Sequence, residues 1–422
     1  MQWRADASRG WSDAAPPDRL ALRDRTVHAA TLPVGRTGGA FEYRVSGADG
    51  VVATGAGRAP PPLGRPARFV VMGDIGDGSA GQRALAREVW RAHGAAPVDF
   101  ALVAGDLAYQ CGRGDEYDRR LFPAFAASDD DERGAPLMRE VPLVAAVGNH
   151  DVGDLRWPPW PFRCRSDYAF FAFWRHPRSW NAPVPVLAQH APPRVAGGLW
   201  LDQPDPAALL GAANFSLTWG DTHVTVLDSN RYVDWARPEL AAWLDRQLEA
   251  GRASRWRVVL MHHPLFNRSS HHGSYQWPRA LAPIFERHGV TFVFAGHVHN
   301  FQWFGPARFT PDAADLARFR GSYRGRLRGD VELQEDSLGA REIDARWPIY
   351  VVSGAGNDRL VPNAMVCPKD LTRVSPAGAC EAMPDVDGRQ ASFTLVETGA
   401  DSLTIRQIST AGQTLLERRI RR

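Results

Sequence analysis

The 422-residue sequence lacks several features that would place it in a specialised class of protein. No run of 18 or more apolar residues exists, which excludes a membrane-spanning helix. The formal net charge is only +3, from 50 basic and 47 acidic residues, and gives no reason to expect nucleic acid or a membrane as partner. The first 30 residues contain no apolar stretch typical of a secretion signal, so we expect a cytoplasmic protein or a chain without its native N-terminus.

Cysteine is also scarce, with four residues at positions 111, 164, 367 and 380. Four are too few for a disulfide scaffold, and their spacings match no zinc motif. Cys367 and Cys380 flank a polar loop that contains proline, and they would bridge in an exported protein. Four free thiols are an equally good interpretation.

The remaining composition is that of a globular protein, with 44% hydrophobic and 23% charged residues. Residues 1–66 show β-strand patterns around 26–32 and 41–45 and end in a stiff proline-rich linker, which predicts a small β module. From residue 67 to 422, apolar strand runs such as 349–353 alternate with helical stretches such as the one near 238–250. This alternation predicts an α/β domain with a second sheet formed by the C-terminal runs. Residues 152–213 and 301–347 interrupt this alternation, and we expect long loops there.

Five apolar strand runs are each followed by a short cluster of glycine, histidine and acidic residues. The clusters are GDIG (73–76), GDLAY (105–109), GNHD (148–151), MHHP (261–264) and GHVH (296–299). In open α/β sheets the carboxyl ends of strands face one crevice, so the five clusters are predicted to meet in space. Any one cluster alone is more often a simple turn, but five in succession are not expected by chance.

The residue types in these clusters indicate a metal site. The candidate ligands are Asp74, Asp106, Tyr109, Asn149, His262, His297 and His299. Oxygen and imidazole donors together suit iron, zinc or manganese. Seven ligands are too many for one ion that must also bind substrate, whereas they suit two ions that share a carboxylate. Such a pair lowers the pKa of a bound water and holds phosphoryl oxygens.

In this order, the five clusters resemble the calcineurin-like metallophosphoesterase superfamily. The tyrosine of GDLAY and the pair His271–His272 after MHHP are similar to its purple acid phosphatase branch. The likeness covers roughly residues 67–300 and implies a two-sheet β-sandwich flanked by helices. Residues 1–66 resemble the latter part of a fibronectin-type-III-like domain, which would make the module incomplete.

The resemblance also implies a role for each site residue. Asp74, Tyr109 and His299 would bind Fe(III). Asn149, His262 and His297 would bind a divalent ion (Zn, Mn or Fe), and Asp106 would bridge the two metal ions. His150, His271 and His272 would hold phosphate and protonate the leaving alkoxide.

The function implied is hydrolysis of small phosphate monoesters by a metal-bound hydroxide at acid-leaning pH, in a secreted or periplasmic protein. A phosphodiesterase or nucleotide pyrophosphatase on the same centre is the nearest alternative. A surface or polymer-binding protein with a structural metal site is an alternative of another class. The oligomeric state stays open.

Two residues depart from the family pattern, and two further features have two interpretations each. Asp151 stands where many relatives have glutamate, and the role of His263 beside the ligand His262 is open. Asp228 would either support the site or form a turn. The aromatic stretch 157–174, which includes Trp157 and Trp160, would either line the cleft or form a satellite core, and the core is favoured.

Overall fold

The computed structural model describes the whole chain except residues 7, 154–165, 176–211, 270–271, 274, 323–325, 362–366, 380–387 and 389. None of the helices in the described part is both long and apolar enough to cross a membrane.

The first 58 residues form two small sheets. Their strands are β1 (Gln2–Arg4), β2 (Ser12–Asp13), β3 (Asp18–Ala21), β4 (Thr26–Ala29), β5 (Ala40–Gly47) and β6 (Gly50–Arg58). Four of them pair in the order β2-β1-β5-β6, and β3 pairs with β4 as a hairpin. The strands predicted near residues 26–32 and 41–45 are therefore present.

This module packs directly against the rest of the protein. Leu22 belongs to the same buried cluster as Val70 of the larger domain. The Tyr43 hydroxyl donates a hydrogen bond to the Arg139 carbonyl oxygen at 2.9 Å. The domain boundary at residue 66 stays a prediction.

The larger domain continues with sixteen strands among the residues that the structure describes. They are β7 (Arg68–Met72), β8 (Phe100–Val103), β9 (Leu143–Ala145), β10 (Phe215–Trp219), β11 (Thr222–Val226), β12 (Trp256–Leu260), β13 (Phe292–Ala295), β14 (Phe301–Phe304), β15 (Ala307–Pro311), β16 (Gly329–Leu333), β17 (Glu342–Asp344), β18 (Ile349–Ser353), β19 (Leu371–Ser375), β20 (Ser392–Thr398), β21 (Ser402–Ser409) and β22 (Thr414–Arg421).

These strands form two large sheets and one small one. The first large sheet has the order β17-β22-β21-β20-β7-β8-β9, and the second has the order β10-β11-β12-β13-β18-β14. A small sheet pairs β15, β16 and β19. Within the large sheets β7, β8 and β9 run parallel, as do β11, β12, β13 and β18.

Seven helices accompany the sheets in the described part of the chain. They are α1 (Ala80–Ala95), α2 (Gly114–Glu116), α3 (Phe122–Phe125), α4 (Ala169–Phe173), α5 (Pro238–Ala250), α6 (Ala282–Arg287) and α7 (Ala313–Ser322). A π turn at Tyr117–Leu121 joins α2 to α3, and 3₁₀ turns lie at Leu137–Arg139, Trp277–Leu281 and Glu335–Ser337.

The core explains this layered arrangement. Strands such as β8 are buried at every position because apolar side chains cover both faces. One face of each large sheet contributes to a shared cluster that includes Phe69, Leu102 and Val258. The outer faces are covered by helices: Leu85 of α1 packs on the first sheet and Trp243 of α5 on the second. The prediction of a two-sheet sandwich flanked by helices is confirmed.

The expectation of a long loop at residues 301–347 is wrong. This segment contains β14 to β17 and α7. In β15 and β16 buried residues alternate with exposed or half-exposed ones, and the two strands pair antiparallel. The alternation of apolar with polar residues in these two short strands is a period-two pattern that the sequence already contained.

The other interrupted segment is described only in part. Residues 166–175 hold α4, whose Phe170 and Phe171 are buried in the core of the first sheet. This part of the aromatic stretch is therefore core, as favoured from the sequence. Trp157 and Trp160 lie outside the described residues.

The structure contradicts one of the two interpretations of the cysteines. Cys111 and Cys367 are both disulfide-bonded, and no described cysteine is free. Four free thiols are therefore excluded. The predicted bridge between Cys367 and Cys380 stays a prediction, because Cys380 lies outside the described residues.

Candidate active site

The five clusters meet where the carboxyl ends of strands from both large sheets lie side by side. Three clusters follow β7, β8 and β9, and two follow β12 and β13. Backbone hydrogen bonds join neighbouring clusters: Asp74 N donates to Gly105 O at 3.0 Å, and Gly296 N donates to His262 O at 3.0 Å. All seven predicted ligands are brought into one cleft.

Three of these side chains converge on one side. The Tyr109 hydroxyl lies 3.0 Å from Asp74 Oδ1 and 3.0 Å from His299 Nε2. His299 Nε2 is also 3.4 Å from Asp74 Oδ1. Each of the three atoms is thus a near neighbour of the other two.

Three others converge on the opposite side. Asn149 Oδ1 lies 2.9 Å from His262 Nε2 and 2.9 Å from His297 Nδ1. Those two nitrogens are 3.2 Å apart.

Asp106 lies between these two groups. Its Oδ2 atom is 3.4 Å from His262 Nε2. Asp74, Asp106 and His262 each offer a ligand atom within 4.8 Å of the others'. The donors therefore form two sets with one carboxylate in common.

Carbonyl oxygens orient two of the histidine rings. A carbonyl accepts only, so His262 Nδ1 donates to Ala104 O at 2.8 Å and His299 Nδ1 donates to Arg359 O at 2.8 Å. Each Nε2 atom is then left unprotonated in the neutral ring and can bind a cation.

The electrostatics of the tyrosine fit a cation site. Burial raises the pKa of Tyr109 well above its usual value, and the charges of Asp106 and Asp74 raise it further. A phenolate would form here only beside a strong positive charge. A trivalent ion supplies that charge, so the donor set fits the predicted pair of metals.

The backbone at three of the predicted ligands is strained. Asp74, Asp106 and His297 have φ of 59°, 55° and 68°, in the left-handed region that side chains other than glycine seldom adopt. Such conformations persist where surrounding structure holds them, and they concentrate at functional sites.

Asp151 holds two of the loops together, which its place in the GNHD cluster did not reveal. Its carboxylate accepts hydrogen bonds from the backbone N–H groups of Asp106, Leu107 and Gly148 at 3.0, 3.0 and 2.8 Å. It also accepts one from the Tyr117 hydroxyl at 3.0 Å. Burial, with the nearby charge of Asp106, raises the pKa of Asp151 to about 6.

Two of the three predicted phosphate-binding histidines are described. His150 N donates to Asp106 Oδ1 at 2.9 Å, and its Nδ1 donates to Gln110 O at 2.6 Å. The ring of His272 lies 4.4 Å from that of His297, between centroids. His271 lies outside the described residues.

A sixth strand end supports the site through a serine that was missed from the sequence. Ser229, just after β11, accepts hydrogen bonds at Oγ from His262 N and His263 N at 3.2 and 2.9 Å. It also bonds the His263 ring at Nδ1, 3.0 Å away. His263 is thereby held against His262 and His297, with its ring 4.9 and 4.5 Å from theirs.

Asp228 both forms a turn and supports the site. Its Oδ1 atom accepts from Asn230 N and Asn230 Nδ2, each at 2.9 Å. Asn230 Nδ2 in turn points at Gly148 O, 3.4 Å away, beside the ligand Asn149. The signal was available, because LDSN follows a strand parallel to β12 in the same way as the five clusters.

A seventh strand end reaches the other side of the site. After β18, Asn357 donates from Nδ2 to the backbone oxygen of Asp74. Arg359, two residues later, supplies the carbonyl that orients His299.

Comparisons with known proteins identify the family of the chain. A family model described as calcineurin-like phosphoesterase matches residues 67–301, more than half of the 422 residues. Tartrate-resistant acid phosphatase type 5 of Homo sapiens is 25% identical over 363 residues, covering 84% of this chain and 91% of the relative. The Rattus norvegicus protein of the same name is 24% identical over 360 residues, covering 83% and 89%.

A solved structure shows the same fold. The purple acid phosphatase PPD1 from yellow lupin (Lupinus luteus) superimposes with a TM-score of 0.64 at 16% identity, over 100% of this chain and 69% of that one. Together with the match over residues 67–301, this means that the chain belongs to the calcineurin-like phosphoesterase family, as a hydrolase homologous to the purple acid phosphatases.

Proposed function

We propose that the protein hydrolyses small phosphate monoesters with two bound metal ions. Asp74, Tyr109 and His299 would hold Fe(III), and Asn149, His262 and His297 would hold a divalent ion of zinc, manganese or iron. Asp106 would contact both metal ions. The observation that supports this most directly is the division of the donors into two sets that share the Asp106 carboxylate.

The chain's own residues account for the rest of the chemistry. When bound, the two ions would supply the nucleophile and neutralise the phosphoryl oxygens. His150 is held by Gln110 O at Nδ1, so Nε2 is the atom available to take up or release a proton. His272 lies beside His297, where it can contact a phosphoryl oxygen or protonate the leaving alkoxide.

Metal content and colour test the proposed centre. We expect about one iron and one further metal per chain by elemental analysis, with a violet charge-transfer band from the Tyr109 phenolate. A colourless protein with two zinc or manganese ions would contradict the Fe(III) assignment. The proposed phosphoesterase activity would still stand.

Turnover on matched aryl substrates tests the reaction. We expect an aryl phosphate monoester to be cleaved faster than the corresponding aryl diester or a nucleoside diphosphate, most rapidly at acid-leaning pH. Preference for the diester or the diphosphate would indicate a phosphodiesterase or a nucleotide pyrophosphatase instead of a monoesterase. Binding of phosphorylated polymers without phosphate release would favour the non-enzymatic alternative.

Two substitutions test the site itself. Asp106→Asn and His262→Ala should each lower kcat by about a thousandfold or more, because the first removes the carboxylate proposed to contact both ions and the second removes an imidazole donor to the divalent ion. Far-UV circular dichroism should stay unchanged. Asp401→Asn, at a side chain 94% exposed, is the matched control and should keep full activity. A variant of Asp106 with full activity would refute the assignment.

A further inference from the structure

One rim of the cleft carries a positive charge on an aromatic surface. The guanidinium carbon of Arg231 lies 4.5 Å from the ring centroid of Trp277 and 5.4 Å from that of Tyr275. The two rings meet edge to face, 5.2 Å apart. We call Arg231, Tyr275 and Trp277 the arginine shelf.

The arginine shelf is fixed relative to the metal ligands. Trp277 is buried, and its Nε1 donates to Ser229 O at 2.8 Å. The hydroxyl of Ser229 accepts from the backbone of His262, so one residue holds both the shelf and a ligand. The Tyr275 ring lies 4.9 Å from His297 and 5.5 Å from His272, between centroids.

The charge of Arg231 is not neutralised by the described part of the chain. Arg231 is exposed, and no carboxylate among the described residues lies within ion-pair distance of it. Arg359, on the opposite rim over Tyr109, differs, because its Nε lies 3.8 Å from Asp77 Oδ2. A guanidinium that aromatic faces hold in place, with its donors unpaired, is suited to bind carboxylate or phosphate.

We propose that the arginine shelf binds a second anionic group of the substrate, so that the enzyme selects phosphomonoesters that carry an additional carboxylate or phosphate. This inference rests on the proposed monoesterase function. The reacting phosphate would occupy the site between His272 and the metal ligands, and the second anion would lie at the Arg231 guanidinium. Tyr275 and Trp277 position the arginine and exclude water from one of its faces.

A pair of substrates that differ only in charge tests the arginine shelf. We would compare 4-carboxybenzyl phosphate with its neutral amide, 4-carbamoylbenzyl phosphate, using the metal-loaded full chain. Wild type should show kcat/KM about fivefold higher for the acid, mainly through KM, and the advantage should shrink at high ionic strength. Arg231→Gln should remove the advantage and leave the amide unaffected.

Two further variants sharpen the result. Arg231→Lys keeps the charge without the planar guanidinium and should retain only part of the preference. Arg252→Gln, at a side chain 76% exposed in the turn that follows α5, is the matched control and should retain all of the preference.

The outcomes separate this inference from the function on which it rests. If wild type cleaves both substrates without preference for the acid, or if Arg231→Gln loses kcat/KM equally on both, anion binding by the arginine shelf is refuted and the proposed function is not. Failure of wild type to cleave either substrate would overturn the proposed function, and this inference with it.

Discussion

At the residue scale, glycines beside the ligands leave no room for a side chain. A methyl group at Gly148 would overlap both Oδ1 and the backbone nitrogen of Asp106. At Gly105 it would lie 2.6 Å from His262 Nδ1, and φ there is +83°. The close approach of these loops brings the predicted ligands within reach of one another.

Gly148→Ala adds only one methyl group, but we expect it to distort the site strongly. The overlap is with backbone, which cannot move as a flexible side chain would, so Asp106 must shift. We expect kcat to fall at least a hundredfold and the free energy of unfolding to fall by about 1–3 kcal/mol. Steady-state kinetics and urea unfolding measure both.

Gly94→Ala is the matched control. Gly94 lies in α1, and a methyl group there would meet nothing within 4 Å. Because alanine favours helix over glycine, stability should stay the same or rise by up to about 1 kcal/mol, with activity unchanged. Equal behaviour of the two variants would show that close packing at Gly148 does not matter.

At the scale of elements, the ends of parallel strands define the site. The sequence located five of them from apolar runs that precede GDIG, GDLAY, GNHD, MHHP and GHVH. The same rule applied to LDSN after β11 and GAGND after β18 would have found Ser229 and Asn357. These two clusters contain no histidine, so their residue types indicated a role in the site less clearly.

One buried histidine links elements away from the site. His223 on β11 bonds Thr218 Oγ at Nδ1, 2.9 Å away, and donates from Nε2 to Gln247 O of α5 at 3.1 Å. Both bonds are satisfied by the neutral ring. Burial lowers the pKa of His223 to about 4, from an ordinary value of 6.5.

Acid should therefore destabilise the protein partly through His223. The unfolded chain takes up a proton near pH 6.5 and the folded chain only near pH 4, so stability is fully present above pH 6.5 and falls between these values. We expect a loss of about 2–3 kcal/mol from this residue between pH 7.5 and 4.5. Urea unfolding at both pH values should show this loss in wild type and not in His223→Gln. The same loss in both proteins would refute the assignment.

At the scale of the whole molecule, the N-terminal module shares the core of the larger domain. Besides Leu22, Arg25 of the module forms an ion pair with Asp118, whose carboxylate lies 2.7 Å away. The two parts are thus expected to unfold together, although the sequence suggested a stiff linker between them.

Substitution at two leucines tests this coupling. Leu22→Ala empties a position 5% exposed and should cost about 2–3 kcal/mol in a single unfolding transition. Leu63→Ala, in the linker at a position 53% exposed, should cost less than about 0.5 kcal/mol. Two separate transitions, or a Leu22 variant as stable as wild type, would contradict a shared core.

The sequence by itself determined the parts whose signal is local. Apolar runs and their periodicity predicted α5 at residues 238–250 and β18 at 349–353, both as observed. The types of residue at five strand ends predicted the ligand set, because metal chemistry restricts which donors are suitable.

Tertiary structure alone decided what depends on residues distant in the chain. The division of donors into two sets around Asp106 arises only when β7–β9 and β12–β13 are packed as facing sheets. The carbonyls that orient His262 and His299 come from Ala104 and Arg359, 158 and 60 residues away, and no sequence pattern identifies a backbone acceptor. The same holds for Arg231, whose aromatic support lies on a separate segment 44 residues or more along the chain and meets it only through packing.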